Sequence, residues 1–148
     1  MNESFTVEEI AELIRDEGYK ALVAIDEEDG DATIESASDG TDWRVHMVGV
    51  APFYESILIR ASFHTDNNPI EDCNKFNNEY RFLKLYRVTE FEPDDGGFYV
   101  RAEMDCDFAG GVSTLMISAT IRRWIALLPV AEEAVFTEMA RKLESKNT

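Results

Sequence analysis

The stretch from Phe98 to Trp124 constrains the fold more than any other part of the sequence. Every second position of its first half is apolar: Phe98, Val100, Ala102, Met104, Cys106 and Phe108. Successive side chains of a strand point to opposite faces, so this pattern predicts a strand with one apolar face and one charged face. Gly110 and Gly111 end the alternation, and Ser113 is placed to cap a helix with apolar residues at helical spacing. We therefore predict that a strand, a glycine turn and a long helix form the core.

The remaining elements follow from periodicity and turn residues. Thr6 and Glu9 have the spacing of a capping box, ahead of a first helix that ends near Gly18. Short strands with tight turns come next, and Asn68 with Pro69 opens a second helix. The predicted order is α-β-β-β-β-α-β-β-α. Because tight links join consecutive strands, we expect an α+β fold, an antiparallel sheet with the helices packed on one face.

Two boundaries rest on prolines. The fifth strand is predicted from about Phe82 to Phe91, before the turn cluster that begins at Pro93. Pro129 lies inside the last helical pattern, and its ring clashes with the preceding turn while it donates no hydrogen bond. We therefore expect Pro129 to kink or break the last helix.

Length and charge limit the class of protein. A chain of 148 residues suits one domain, residues 1–148, and 30 acidic against 14 basic residues give a net charge of -16. Residues 1–42 alone hold 14 acids and two bases. Such a field repels nucleic acid and anionic membranes, so we expect neither as a partner. The first residues lack the pattern of a signal peptide, and we find no apolar run long enough to span a membrane, so we expect a cytoplasmic protein.

The residue types that commonly bind metals or perform catalysis do not occur here in a recognisable motif. Cys73 and Cys106 lie on predicted apolar faces, which favours buried free thiols over a disulfide. The acidic run Asp26–Asp31 suggests a calcium loop, but with Gly30 as its sixth position the required carboxylates are missing from the first and last positions. His46 and His64 have no further ligands at zinc-site spacing. We therefore predict no metal, no cofactor and no enzymatic activity.

One pair of aromatic residues is a candidate contact site. Phe53 and Tyr54 follow Pro52 in a predicted loop between two strands, where large aromatic side chains are poorly buried. Two interpretations carry equal weight. The pair contacts a partner or a second subunit, or it folds back over the sheet edge as a plug.

Several of these residues together resemble the YbjN domain, a family with the label "putative bacterial sensory transduction regulator". The resemblance rests on the run Asn74–Phe82, the alternating strand, the turn Gly110–Ser113 and a long final helix that carries Trp124. Phe76 stands where tryptophan is usual in the family, and Pro129 is a departure. Asn74 and Asn77 lie one helical turn apart, placed to hydrogen-bond backbone groups of the following strand. The family carries no catalytic residues to transfer, and the resemblance implies a fold similar to type III secretion chaperones.

Two functional hypotheses follow. The first is a non-enzymatic protein-binding module, a chaperone-like or sensory transduction regulatory protein that engages another protein or peptide. Secretion chaperones are typically acidic homodimers, so the resemblance also implies a homodimer. The alternative is a small-ligand sensor or enzyme with a pocket between sheet and helices.

Overall fold

The order of elements along the chain is the predicted one. The computed structural model describes the backbone of residues 1–147 and the side chains of residues 1–136. Within this range the helices are α1 (Val7–Asp16), α2 (Ile70–Glu79) and α3 (Thr114–Asn147). The strands are β1 (Leu22–Ile25), β2 (Ala32–Ser38), β3 (Thr41–Val50), β4 (Phe53–Thr65), β5 (Lys84–Arg87) and β6 (Phe98–Asp107).

The strands described over residues 1–147 form one six-stranded antiparallel sheet. Its strand order is β1-β2-β3-β4-β6-β5, so β1 and β5 lie at the two edges. The hairpin between β2 and β3 turns at Asp39 and Gly40, both with positive φ, as a two-residue hairpin requires. The α+β prediction with an antiparallel sheet is confirmed.

One face of the sheet is buried, and this alternation is what the sequence of β6 predicts. The buried residues of β6 and of the position that follows it are Val100, Ala102, Met104, Cys106 and Phe108. In β3 the same period buries Trp43, Val45 and Met47. Gly110 and Gly111 both have positive φ, and Ser113 Oγ accepts the Met116 N–H at 3.1 Å, so the predicted turn and cap are confirmed.

Contacts within the chain group it into two compact units. The first unit is Met1–Ala61 with Met104–Ile125, and the second is Ser62–Glu103 with the chain from Ala126 onward. In the first unit α1 lies beside β1 and β2, and in the second α2 lies beside β5. The single domain over residues 1–148 stays a prediction.

Helix α1 begins and ends as its sequence predicts. Thr6 Oγ1 accepts the Glu9 N–H at 3.2 Å, and Glu9 Oε1 accepts the Thr6 N–H at 3.0 Å. This reciprocal pair satisfies two backbone donors that would otherwise lack intrahelical partners. Gly18, with φ of +94°, follows the helix and donates its N–H to the Arg15 carbonyl.

Two predicted boundaries differ from the structure. Helix α2 begins at Ile70, with Pro69 as its N-cap, although Asn68 Oδ1 still accepts the Ile70 N–H at 3.2 Å. Strand β5 covers Lys84–Arg87 and not Phe82 to Phe91. Phe82 has a φ of +78°, a left-handed conformation that cannot continue a strand.

Of the two outcomes predicted for Pro129, the break is wrong, because α3 runs through it from Thr114 to Asn147, and the kink stays a prediction. A proline in a helix removes one hydrogen bond and costs about 3 kcal/mol. Buried residues continue at helical spacing on both sides of it: Ile117, Ile121, Trp124, Leu128, Ala131 and Val135. Burial of this stripe outweighs the local cost of the proline.

Helix α3 contradicts the expectation that no apolar run is long enough to span a membrane. Residues Thr114–Phe136 are long and apolar enough to cross a membrane by length and composition. A core helix of a soluble protein passes the same test, and one stripe of this helix is buried.

Candidate functional site

Three apolar side chains are exposed together at the end of the β3–β4 hairpin. Val50 pairs with Phe53, and Val48 lies two residues earlier on the same strand. Directly opposed residues of an antiparallel pair share one face, so the three side chains lie on the same side of the sheet. Their exposed fractions are 47% for Val48, 82% for Val50 and 60% for Phe53. We call Val48, Val50 and Phe53 the hairpin patch.

A register shift between Val48 and Gly49 leaves Glu55 without a partner on β3, because Val48 pairs with Ser56 and Gly49 pairs with Tyr54. Phe53 and Tyr54 both lie at the start of β4 and not in a loop, with only Ala51 and Pro52 between the two strands. After the shift Tyr54 pairs with Gly49 and points to the buried face, where it is 4% exposed. The two aromatic residues therefore face opposite ways, and only Phe53 is available to a partner.

The N-terminal segment holds Tyr54 in this position. The backbone of Phe5 exchanges two hydrogen bonds with that of Tyr54, at 3.0 and 2.8 Å. The buried ring of Phe5 packs edge-on against Phe108, with centroids 4.8 Å apart. Asn2 and Val112 exchange a second pair of backbone bonds, at 3.0 and 2.9 Å. The hairpin patch thus rests on a strand start that the N-terminal segment fixes.

Acidic side chains border the hairpin patch. Glu3 and Glu9 line the same shallow depression as Phe53 and the Gly110–Gly111 turn. A second open depression, lined by Glu55, Asp105 and Asp107, includes no residue of the hairpin patch. An apolar surface with an acidic rim fits a partner that combines apolar and basic side chains.

The pKa values of the two thiols are shifted in the opposite direction to that of a nucleophilic cysteine. Burial, with a smaller contribution from the Asp72 charge, raises the pKa of Cys73 to about 11. Burial also raises the pKa of Cys106. A reactive cysteine has a lowered pKa, so both residues behave as small core side chains.

No metal-binding group of three or more histidine, cysteine, aspartate or glutamate side chains occurs among the residues that the structure describes. The acidic run after β1 is instead a turn. Asp26 Oδ1 accepts the N–H groups of Glu28 and Asp29, at 2.8 and 3.2 Å. Hydrogen bonds from the backbone of Glu28 and then of Asp29 lower the pKa of Asp26.

Comparison with known proteins identifies the family. Residues 6–135 match the family model of YbjN, described as "Putative bacterial sensory transduction regulator". The chain belongs to the YbjN family. The crystal structure of YbjN from E. coli, described as "a putative transcription regulator", matches with a TM-score of 0.61 and 12% identity. That match covers 91% of this chain and 93% of that chain, and at this identity it shows the fold alone. No curated protein matches the chain.

The YbjN-like residues have structural roles. Asn77 Nδ2 donates to the Leu85 carbonyl at 2.7 Å, and Asn77 Oδ1 accepts the Leu85 N–H at 3.0 Å. The predicted bond to the following strand is therefore confirmed for Asn77, whereas Asn74 is exposed. Phe76, in the position where tryptophan is usual, is buried and stacks on Tyr80 with centroids 4.9 Å apart.

The sequence prediction missed two of the three patch residues. Val50 falls in the predicted loop from Gly49 to Tyr54, and the prediction of a contact site does not include Val48. Val48 has the opposite parity to the apolar positions Val45 and Met47, so a strand there must expose it. This alternation was the sequence signal that could have identified Val48 as exposed.

Proposed function

We propose that this YbjN-family chain is a non-enzymatic, cytoplasmic regulatory protein that engages another polypeptide through the hairpin patch. The observation that carries the proposal is the exposed apolar group Val48, Val50 and Phe53 on a hairpin that the N-terminal segment fixes. Exposed apolar clusters with a polar rim mark sites of protein contact. The raised pKa values of the thiols Cys73 and Cys106 favour binding over catalysis.

The family description supports a regulatory role, and the net charge indicates which class of partner that role involves. A net charge of -16 opposes contact with nucleic acid, because such binding depends on neutralising phosphates with basic groups. A role in transcription or sensing would therefore act through a protein partner. The fold similar to secretion chaperones that the resemblance implies also favours polypeptide binding.

The test compares two patch variants with one matched control. Phe53→Asp and Val50→Asp each place a charge on the hairpin patch, while Ile70→Asp does the same at an exposed apolar position of α2. Tagged chains expressed equally in the native host are recovered after crosslinking, and their partners are quantified by mass spectrometry. We expect both patch variants to lose at least about tenfold of the partner signal, on the scale of one interface anchor. The control should retain it.

Thermal melting and light scattering separate the remaining explanations. Exposed substitutions change stability by about 0.5 kcal/mol or less, so all three variants should melt close to the wild type. A large loss of melting temperature in Phe53→Asp without loss of partner would support the plug and contradict the proposal. Conversion of a wild-type dimer to a monomer would assign the patch to a second copy.

A further inference from the structure

The outer edge of β1 carries backbone groups that point away from the sheet. Asp26 donates its N–H to the Asp31 carbonyl at 2.9 Å, so these two residues form a hydrogen-bonded pair at the end of the β1–β2 ladder. Such pairs alternate along an antiparallel ladder. Leu22 and Ala24 therefore bond to β2, whereas the N–H and C=O groups of Val23 and Ile25 point outward.

Only the start of this outer row is covered. Arg15 Nη2 donates to the Ala21 carbonyl at 2.7 Å, at the position before the strand begins. Beyond it, the residues that the structure describes provide no hydrogen-bond partner for the outward groups of Val23 or Ile25. A row of this kind is a template for an added strand.

The side chains of β1 make the edge apolar. Val23 lies opposite the buried residue Ile34, and Ile25 lies opposite the buried residue Ala32. Val23 and Ile25 therefore continue the buried face of the sheet, yet Ile25 is 62% exposed. Leu22, on the other face, is 58% exposed. The strand also lacks the lysine or proline that commonly protects an edge.

Charge decides what kind of chain fits this edge. The strand runs directly into a turn that carries five acids: Asp26, Glu27, Glu28, Asp29 and Asp31. Of the two bases in residues 1–42, Arg15 is already held by Glu8, Glu12 and the Ala21 carbonyl. A second copy would bring a further net charge of -16 to the same edge, which opposes its approach.

We propose that β1 accepts an extended, lysine- or arginine-bearing segment of another polypeptide as an added strand. Its backbone pairs with Val23 and Ile25, its apolar side chains cover Ile25, and its basic side chains lie beside the acidic turn. This mode takes affinity from backbone hydrogen bonds and selects the segment by its side chains. The site is distinct from the hairpin patch, so either surface can fail its test while the other passes.

The probe is a short synthetic peptide of alternating lysine and valine, added to the full chain labelled with ¹⁵N. We expect the amide resonances of Val23 and Ile25 to shift and their hydrogen exchange to slow. Two control peptides are tested against the same wild-type chain. One carries glutamate for lysine, and the other carries N-methyl groups on the amides that would face β1. Each should bind at least about fivefold more weakly, the first because its charge has the same sign as the acidic turn and the second because it loses a backbone hydrogen bond.

Two protein variants test the same backbone groups. Ile25→Pro removes an outward N–H that the sheet does not use, which an edge strand tolerates. Ile25→Thr keeps the N–H and serves as the matched control. We expect the proline variant to lose binding by at least about fivefold while the threonine variant keeps most of it.

Three results would overturn the proposal. The first is equal binding of the lysine and glutamate peptides. The second is unchanged binding of the N-methylated peptide or of the Ile25→Pro chain. The third is light scattering that shows a wild-type dimer and an Ile25→Pro monomer, since the occupant of the edge would then be a second copy.

Discussion

The two edges of the sheet differ in how their outward backbone groups are treated. At β5 the side chain of Asn77 bonds to both the N–H and the carbonyl of Leu85. At β1 the outward groups of Val23 and Ile25 meet no such side chain in the described part of the chain. A carboxamide carries one acceptor and an N–H donor in the same arrangement as a peptide group, so Asn77 stands in for a neighbouring strand. One side chain can therefore close a sheet edge locally.

The connections that leave the two edge strands differ in how closely they are packed. Between β5 and β6, a Cβ at Gly97 would lie 2.7 Å from the Thr65 carbonyl oxygen and 2.8 Å from His64 Nε2. In the turn that follows β1, a Cβ at Gly30 would meet nothing within 4 Å. Both glycines have positive φ, +84° and +76°. They therefore form a matched pair that differs in packing.

The largest expected effect comes from Gly97→Ala. Both Gly97→Ala and Gly30→Ala should lose about 1–2 kcal/mol from the left-handed conformation. Gly97→Ala should lose about 2–4 kcal/mol in total, because the clash with a backbone carbonyl adds the cost of overpacking. Urea unfolding of both variants measures the difference. Equal losses would show that the β5 connection is no more closely packed than the β1 turn.

The second effect comes from opening the β5 edge itself. Asn77→Leu removes both bonds to Leu85 and should cost about 1–3 kcal/mol, since two backbone groups lose their partner. Asn74→Leu, one helical turn away on an exposed position, should stay within about 0.5 kcal/mol of the wild type. Chemical unfolding of the two leucine variants compares them directly. If they are equally stable, Asn77 does not close the edge.

Local patterns predicted much of the fold. The parity of residues Val100 to Phe108 and the capping box of Thr6 and Glu9 depend on neighbours in sequence, and both are confirmed. The left-handed conformation of Phe82 has no local signal, because phenylalanine rarely adopts it, so β5 was drawn too long. The continuous helix at Pro129 depends on burial of the stripe around it, which the local rule for proline does not include.

The candidate surfaces were less predictable than the fold. Phe53 was identified from its sequence, but the register shift at Gly49 that turns Tyr54 inward comes from pairing between strands. The sequence predicts short strands after the first helix, the first of them from Tyr19 to Ile25, yet its place at an edge follows only from the strand order. Closure of the other edge likewise needed the position of Asn77 beside Leu85.

The smallest expected effect lies in the exposed turn beside β1. Backbone hydrogen bonds from Glu28 and then Asp29 lower the pKa of Asp26 relative to the unfolded chain. The resulting stabilisation is fully present above the unfolded pKa and is lost as pH falls through the folded pKa. An acid titration followed by the Glu28 amide resonance should therefore show a midpoint below the ordinary aspartate value. Asp26→Asn should abolish that titration, and a midpoint at or above the ordinary value would contradict the account.

Amide hydrogen exchange of the unbound protein distinguishes an open β1 edge from a closed one. The account predicts that Val23 and Ile25 exchange at least about tenfold faster than their neighbour Ala24, since an outward N–H lacks the ladder bond that protects a paired one. Leu85, although also in an edge strand, should be protected like Ala24 because Asn77 accepts its N–H. Protection of Val23 and Ile25 equal to that of Ala24 and Leu85 would contradict the contrast between an open β1 edge and a closed β5 edge.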